Sequence, residues 1–208
     1  MSEMQAAAET LQEIGWGVSI FGSARILPDS PYYALSEALG ARLAKAGLTV
    51  IAGGGPGIME AANKGAFQAG GKSVGLNIKL PRESSGNHYQ THSLSFDYFY
   101  SRKATFFMHS AAYIALPGGF GTLDELFEVL TLVQTRKIPK APIVLIGVSF
   151  WSGLIEWVKT HLLANRLIGP RDLDLLTITD DIDLAMQHIE TFCSEFADQR
   201  DYAPALPE

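Results

Sequence analysis

Apolar residues along this chain alternate between two spacings. Short, nearly uninterrupted apolar runs at 17–21, 48–52, 73–76, 113–116 and 143–146 read as strands buried on both faces, the pattern of a parallel sheet. Longer stretches between them carry a helical period. Leu35, Leu39 and Leu43 recur every four residues within 32–46, and Gly47 closes that segment as a C-terminal stop. The same reasoning predicts helices over 58–69 (ended by Gly70 and Gly71), 99–110, 122–134, 151–163 and 182–196, with short strands at 94–96 and 175–178. Strand and helix in turn predict an α/β fold, a Rossmann-like doubly wound parallel sheet with helices on both faces. We expect one domain over 1–208, with its core at about 17–196 and a loose tail at 197–208.

Two stretches depart from this rhythm. Residues 79–93 are polar and contain Pro81, Gly86 and Asn87, the composition of a long loop of the kind that often covers a site. Residues 104–123 hold no Asp, Glu, Lys or Arg and match a membrane span in length. Pro117, Gly118 and Gly119 interrupt them. Unpaired loop amides are costly in lipid, so a buried helix, strand and loop is the expectation, with no membrane partner.

Composition narrows the function classes. Across 208 residues, 22 Asp and Glu outweigh 16 Lys and Arg for a net charge of −6. Proteins that neutralise many phosphates are basic, so nucleic acid is not an expected partner, and any bound anion is small and locally held. Cys193 is the sole cysteine, which excludes an internal disulfide framework. The first thirteen residues lack the basic start and apolar run of a secretory signal, and the expected location is cytoplasmic.

Ligands of open parallel sheets bind beyond the carboxyl ends of the strands. Three loops at such ends are unusual: Gly22-Ser23-Ala24-Arg25, Gly53-Gly54-Gly55-Pro56-Gly57 and Pro117-Gly118-Gly119-Phe120-Gly121-Thr122. The two glycine loops each end a strand and open a helix, so their N–H groups can converge on an anion that the helix dipole favours. Sharper nucleotide patterns fail. Gly53 and Gly55 are followed by Ile58 where a dinucleotide fingerprint needs glycine. A relaxed phosphate-loop pattern at 66–73 runs from helix to strand, the reverse of the required order. His88 and His92 are four apart in a presumed loop without cysteine partners, so no metal or other cofactor is expected.

Four charged residues are candidates for chemistry. Glu125 lies three residues into the helix opened by Thr122, within reach of the sugar of a ligand whose phosphate sits at that N-terminus. Thr122-Leu123-Asp124-Glu125 also spells a capping box, with Thr122 as cap and Glu125 reaching back to the cap N–H. Arg102 and Lys103 fall in the first turns of their helix, the wrong end for cations unless an anion or base waits there. Arg25 invites a phosphate partner in the same way.

Taken together, Gly53-Gly54-Gly55-Pro56-Gly57-Ile58-Met59-Glu60, Arg102-Lys103 and Pro117-Gly118-Gly119-Phe120-Gly121-Thr122-Leu123-Asp124-Glu125 resemble the Lonely Guy (LOG) family over about residues 17–180. The resemblance implies a phosphoribohydrolase that releases a free base and ribose 5-phosphate from AMP or cytokinin riboside 5'-monophosphate. Many members were labelled lysine decarboxylases, a label the sequence does not support. It implies Arg102 and Glu125 as the catalytic pair and Gly118, Gly119, Gly121 and Thr122 as the phosphate cradle. Gly22, Ser23, Arg25, Gly54, Gly55, Gly57 and Lys103 complete the expected substrate-binding set, and a homodimer or higher homo-oligomer is implied. Two departures, Gly-Ser-Ala-Arg at 22–25 where plant-like members tend to have Gly-Ser-Ser, and Asp124 in place of a first Glu, point to a bacterial-type subgroup. The rival reading is a non-catalytic nucleotide or molybdenum-cofactor carrier, since fold alone does not decide function.

Overall fold

The computed structural model describes residues 3–79 and 86–196; the 197–208 tail and residues 80–85 of the 79–93 loop lie outside them. Seven strands pair in parallel in the order β4-β3-β2-β1-β5-β6-β7. They are β1 (Gly17–Phe21), β2 (Thr49–Ala52), β3 (Ser73–Ile78), β4 (His92–Phe96), β5 (Ser110–Ala115), β6 (Ile143–Ile146) and β7 (Leu176–Thr179). The doubly wound Rossmann-like topology read from the apolar pattern is therefore present.

Helices cover both faces, as the two-sided burial of β1, β2 and β6 demands. One layer contains α2 (Pro31–Lys45), α3 (Ile58–Gln68) and α7 (Ile182–Phe196), packed over Val18, Ile20, Val50 and Ile114. The other contains α1 (Glu3–Thr10), α4 (Phe99–His109), α5 (Phe120–Gln134) and α6 (Val148–Trp157), packed over Phe21, Ile51, Tyr113 and Leu145. On α5 the inward stripe is Leu126, Val129 and Val133, each contributing roughly 1.5–3 kcal/mol by leaving water.

Several boundaries differ from expectation for local reasons. Helix α1 was not anticipated, because it buries only Ala7, with Leu11 just beyond. Its Glu3 carboxylate accepts the Asp97 N–H at 2.6 Å and the Ser101 hydroxyl, so an anion from another helix sits at the start of α4 where the dipole favours one. The segment expected as one helix over 151–163 starts at Val148 and continues past Trp157 as a π-helical stretch, Val158–Leu163. Strand β4 is longer than the expected 94–96 and pairs from Val74↔His92 to Ile78↔Phe96. The uncharged 104–123 stretch spans the end of α4, all of β5, the glycine loop and the start of α5. No helix among the described residues is long and apolar enough to cross a membrane.

Candidate active site

The sheet order reverses between β1 and β5, which are neighbours although distant in sequence. That is the switch point where a crevice opens at the carboxyl ends. The loop after β1 ties the other two together: Ser23 donates its N–H to Pro117 O at 3.1 Å, and Ser23 O accepts the Ile58 N–H at 3.1 Å. Ser23 Oγ accepts the Arg25 N–H at 3.0 Å. The Arg25 side chain is exposed and makes no ion pair among the described residues. Gly22 leaves no room for a side chain because Ile58 occupies the space.

The two glycine loops differ in what surrounds them. In the first, Gly54 has φ +77° and Gly57 φ +68°, conformations that favour glycine. A Cβ at Gly54 would strike the Asn77 amide, and one at Gly57 would strike Ser23 O. Gly55 is closed off by Met59, whose Cε would lie 2.9 Å from an added Cβ. Gly54 O accepts the Asn87 N–H at 2.7 Å and the Gln90 side-chain amide at 3.1 Å. This loop is packed into the protein on most sides, and its first helical amide, Ile58, already has Ser23 O.

In the second loop, Gly118 abuts Thr122, whereas an added Cβ at Gly119 or Gly121 would meet nothing within 4 Å beyond its own stretch of chain among the described residues. Helix α5 begins at Phe120 with Gly119 as its N-cap, two residues before the expected start. Leu123 N–H to Gly119 O, 3.0 Å, opens the helical ladder, so the amides of Phe120, Gly121 and Thr122 are the orphan donors of the helix N-terminus. Open space and unpaired donors coincide here.

The earlier start of α5 removes the capping box. Thr122 lies within the first turn instead of at the cap, no side chain among the described residues caps the helix, and Glu125 does not reach back. Glu125 is instead buried, 7% exposed, and its Oε2 has no hydrogen-bond partner among the described residues. Burial pushes its carboxyl up from an ordinary 4.5 to about 7, against the opposing pull of the Lys103 and Arg102 cations. A buried acid with an idle oxygen costs stability, and such costs collect at functional sites.

Both cations come from the first turns of α4. Arg102 donates through Nε to Leu76 O at 2.7 Å and through Nη2 to Gly53 O at 3.3 Å, and it lies over the Phe106 ring. It therefore joins the residue after β2 to β3, and its charge is felt at Glu125. Lys103 is 15% exposed and bridges Asp124 and Glu128 of α5, each at 2.6 Å. The cations that looked misplaced on α4 are satisfied by carbonyls and by the acidic face of α5. Reasoning from sequence overlooked the amide side chains Asn63, Asn77, Asn87 and Gln90 around the first loop, of which only Asn87 drew notice, as a loop former.

At the switch point of this parallel α/β sheet, one helix thus carries both an open N-terminus and a buried carboxylate. Residues 59–189 match the family model described as "Possible lysine decarboxylase". The chain is 30% identical over 175 residues, covering 83% of this chain and 92% of the relative, to the cytokinin riboside 5'-monophosphate phosphoribohydrolase of Mycobacterium marinum. It is 35% identical over 131 residues to the probable cytokinin riboside 5'-monophosphate phosphoribohydrolase LOGL5 of rice (Oryza sativa subsp. japonica), covering 61% of this chain and 52%, about half, of that protein. The chain belongs to the Lonely Guy (LOG) family. Among solved structures it resembles TM1055 (TM-score 0.65, 24% identity, 85% of this chain and 99% of that one). It also resembles the molybdenum cofactor carrier protein of Chlamydomonas reinhardtii (TM-score 0.64, 19% identity, 86% and 98%). At these identities the likeness is one of fold.

Proposed function

We propose that this chain hydrolyses the N-glycosidic bond of a nucleoside 5'-monophosphate, AMP or a cytokinin riboside 5'-monophosphate, and is not a lysine decarboxylase. The observation that carries the proposal is the buried Glu125 carboxylate, with its idle oxygen and its pKa near 7, on the helix whose N-terminal glycines face open space. Glu125 is five residues past the start of α5, about 8 Å along the axis, a span suited to a sugar ring and its 5'-phosphate. The family relatives named as phosphoribohydrolases support the same reaction.

In this reading the amides of 120–122 and the α5 dipole hold the phosphate, with Thr122 beside them. Cleavage develops positive charge at the anomeric carbon, which a carboxylate can stabilise or relieve by activating water. A group poised near neutrality can take the proton from that water, and Arg102 stabilises charge on the departing base. Anchoring the phosphate holds the sugar in register. Lys103, engaged by two carboxylates, contributes field at Glu125 and not a direct substrate contact.

The homodimer is part of this proposal. It is supported by the exposed side of α5, where Phe120 is 93% exposed and Phe120, Leu123 and Phe127, together with Asp124, Glu128 and Thr131, line an open groove of about 420 Å³. Large exposed patches of this kind mark association sites. Light scattering after size exclusion should give twice the chain mass, and Phe120→Ser should lower it.

Incubation with AMP, other nucleoside monophosphates and isopentenyladenosine monophosphate, followed by chromatography, tests the activity. Free base with ribose 5-phosphate is the expected result. No base from any of them would turn the reading to the nucleotide or molybdenum-cofactor carrier, which has no use for Glu125.

A further inference from the structure

Two backbone carbonyls orient Arg102, those of Gly53 and Leu76. Each lies one residue before a position fixed by side-chain amides. Gly54 follows Gly53, and its carbonyl accepts from Asn87 N–H at 2.7 Å, Asn87 Nδ2 at 3.0 Å and Gln90 Nε2 at 3.1 Å. Asn77 follows Leu76, and its Nδ2 donates to Gly75 O, Gln90 Oε1, Ser93 Oγ and Leu94 O at 3.1–3.2 Å. Gln90 joins the two, since it meets Gly54 through its nitrogen and Asn77 through its oxygen.

Asn87 is the hub on the loop side. Its Oδ1 accepts the Tyr89 N–H at 3.1 Å, which assigns the amide orientation and leaves Nδ2 facing three oxygens. These are Gly54 O, Gly55 O at 3.1 Å and Asn63 Oδ1 at 3.0 Å. Asn63 is fully buried and donates to Ser73 Oγ and Val74 O, so the hub is anchored in β3. The Gly54–Gly55 peptide is trans, and a trans peptide points its N–H opposite to its C=O. Fixing Gly54 O therefore fixes which way the loop turns. An added Cβ at Gly53 would meet Arg102 Nη2 at 2.5 Å, so any rotation of this loop is felt by the guanidinium.

We propose that Asn87 and Gln90 are positioning residues that hold the Gly53 and Leu76 carbonyls in register and thereby aim Arg102 at the Glu125 side of the crevice. They act through the backbone and touch no reacting atom. The kinetic part of the proposal rests on the hydrolase reading; the structural part does not.

Two isosteric variants test it. Asn87→Asp keeps the oxygen that accepts Tyr89 N–H but sets an acceptor against Gly54 O, Gly55 O and Asn63 Oδ1. Gln90→Glu does the same at Gly54 O and at Asn77 Oδ1, its second acceptor at 3.4 Å, and serves if the first variant does not fold. Hydrogen exchange of the Arg102 Nε–H, read by NMR, should accelerate at least about tenfold in either variant, as a buried donor loses its fixed acceptor. Unchanged exchange overturns the proposal, whether or not the protein proves to be a hydrolase. With base release as the readout, kcat should fall about tenfold or more while KM changes about threefold at most. In an Arg102→Lys background the same substitution should cost less than about twofold, because its route to the chemistry is already broken. Full additivity in that double mutant would mean that the amide network serves stability alone and would overturn the positioning role. Wild-type protein that releases no base defeats the hydrolase reading and leaves the exchange measurement to decide this one.

Discussion

Replacing Glu125 with Gln should abolish base release and, above neutral pH, make the protein more stable. The folded carboxyl is displaced upward from 4.5 to about 7, so between these pH values the folded state binds the proton that the unfolded chain has released. Stability then falls as pH rises from about 4.5 and levels off above about 7. At about 1.4 kcal/mol for each pH unit, the full penalty is about 3 kcal/mol. Gln resembles the neutral acid and escapes it. For a chain of this size about 2–4 °C accompanies each kcal/mol, so the melting temperature of Glu125→Gln should exceed that of the native protein by roughly 10 °C at pH 8, with the gap closing toward pH 4.5. Thermal melts of both proteins in a constant-ionic-strength buffer series provide the assay. Melting curves that run parallel across this range would refute the reasoning, because they would mean that the carboxyl titrates as it does in water. A stabilised variant with undiminished turnover would separate the burial of Glu125 from the chemistry.

Lys103→Met removes the cation that most opposes the burial of Glu125 and frees Asp124 and Glu128 from their shared partner. All three effects raise the Glu125 pKa, so the ascending limb of kcat/KM against pH should move to higher pH; a limb that stays in place or falls would contradict the assignment. Gly121→Ala and Gly57→Ala make a contrasting pair. Gly121 has open space around an added Cβ, so the alanine variant should melt within a few degrees of the native protein, yet bind nucleoside monophosphate at least about tenfold more weakly by calorimetry. Gly57 has φ +68° and Ser23 O in the way, so its alanine variant should lose at least about 2 kcal/mol in denaturant melts.

The boundaries of β1 and β6 were legible to the residue, since each is a wholly buried run between breaks in pattern, with Ser19 the one polar side chain among them. The start of α5 was misread for a reason of local grammar. Thr122 and Glu125 have the spacing of a capping box, but Gly119 in an extended conformation took the cap position. Helix α1 was missed because one buried alanine is too weak a periodic signal. Its contribution through Glu3 is made to residues more than ninety positions away.

The apolar periodicity alone determined a parallel sheet with helices on both faces, because burial on two sides favours strands made mostly of apolar residues. The glycine runs marked the loops at the carboxyl ends, since few other residues permit such turns. Only the tertiary structure distinguished the two loops, one packed against Asn77, Met59 and Ser23 and the other open at Gly119 and Gly121. It alone decided that Glu125 is a buried acid and not a cap, because a carboxylate's proton affinity depends on the water removed from it and the cations brought near it. Arg102, Lys103 and the amides of Asn77, Asn87 and Gln90 come from separate elements, and no local spacing rule records a neighbourhood that exists only after the sheet has closed.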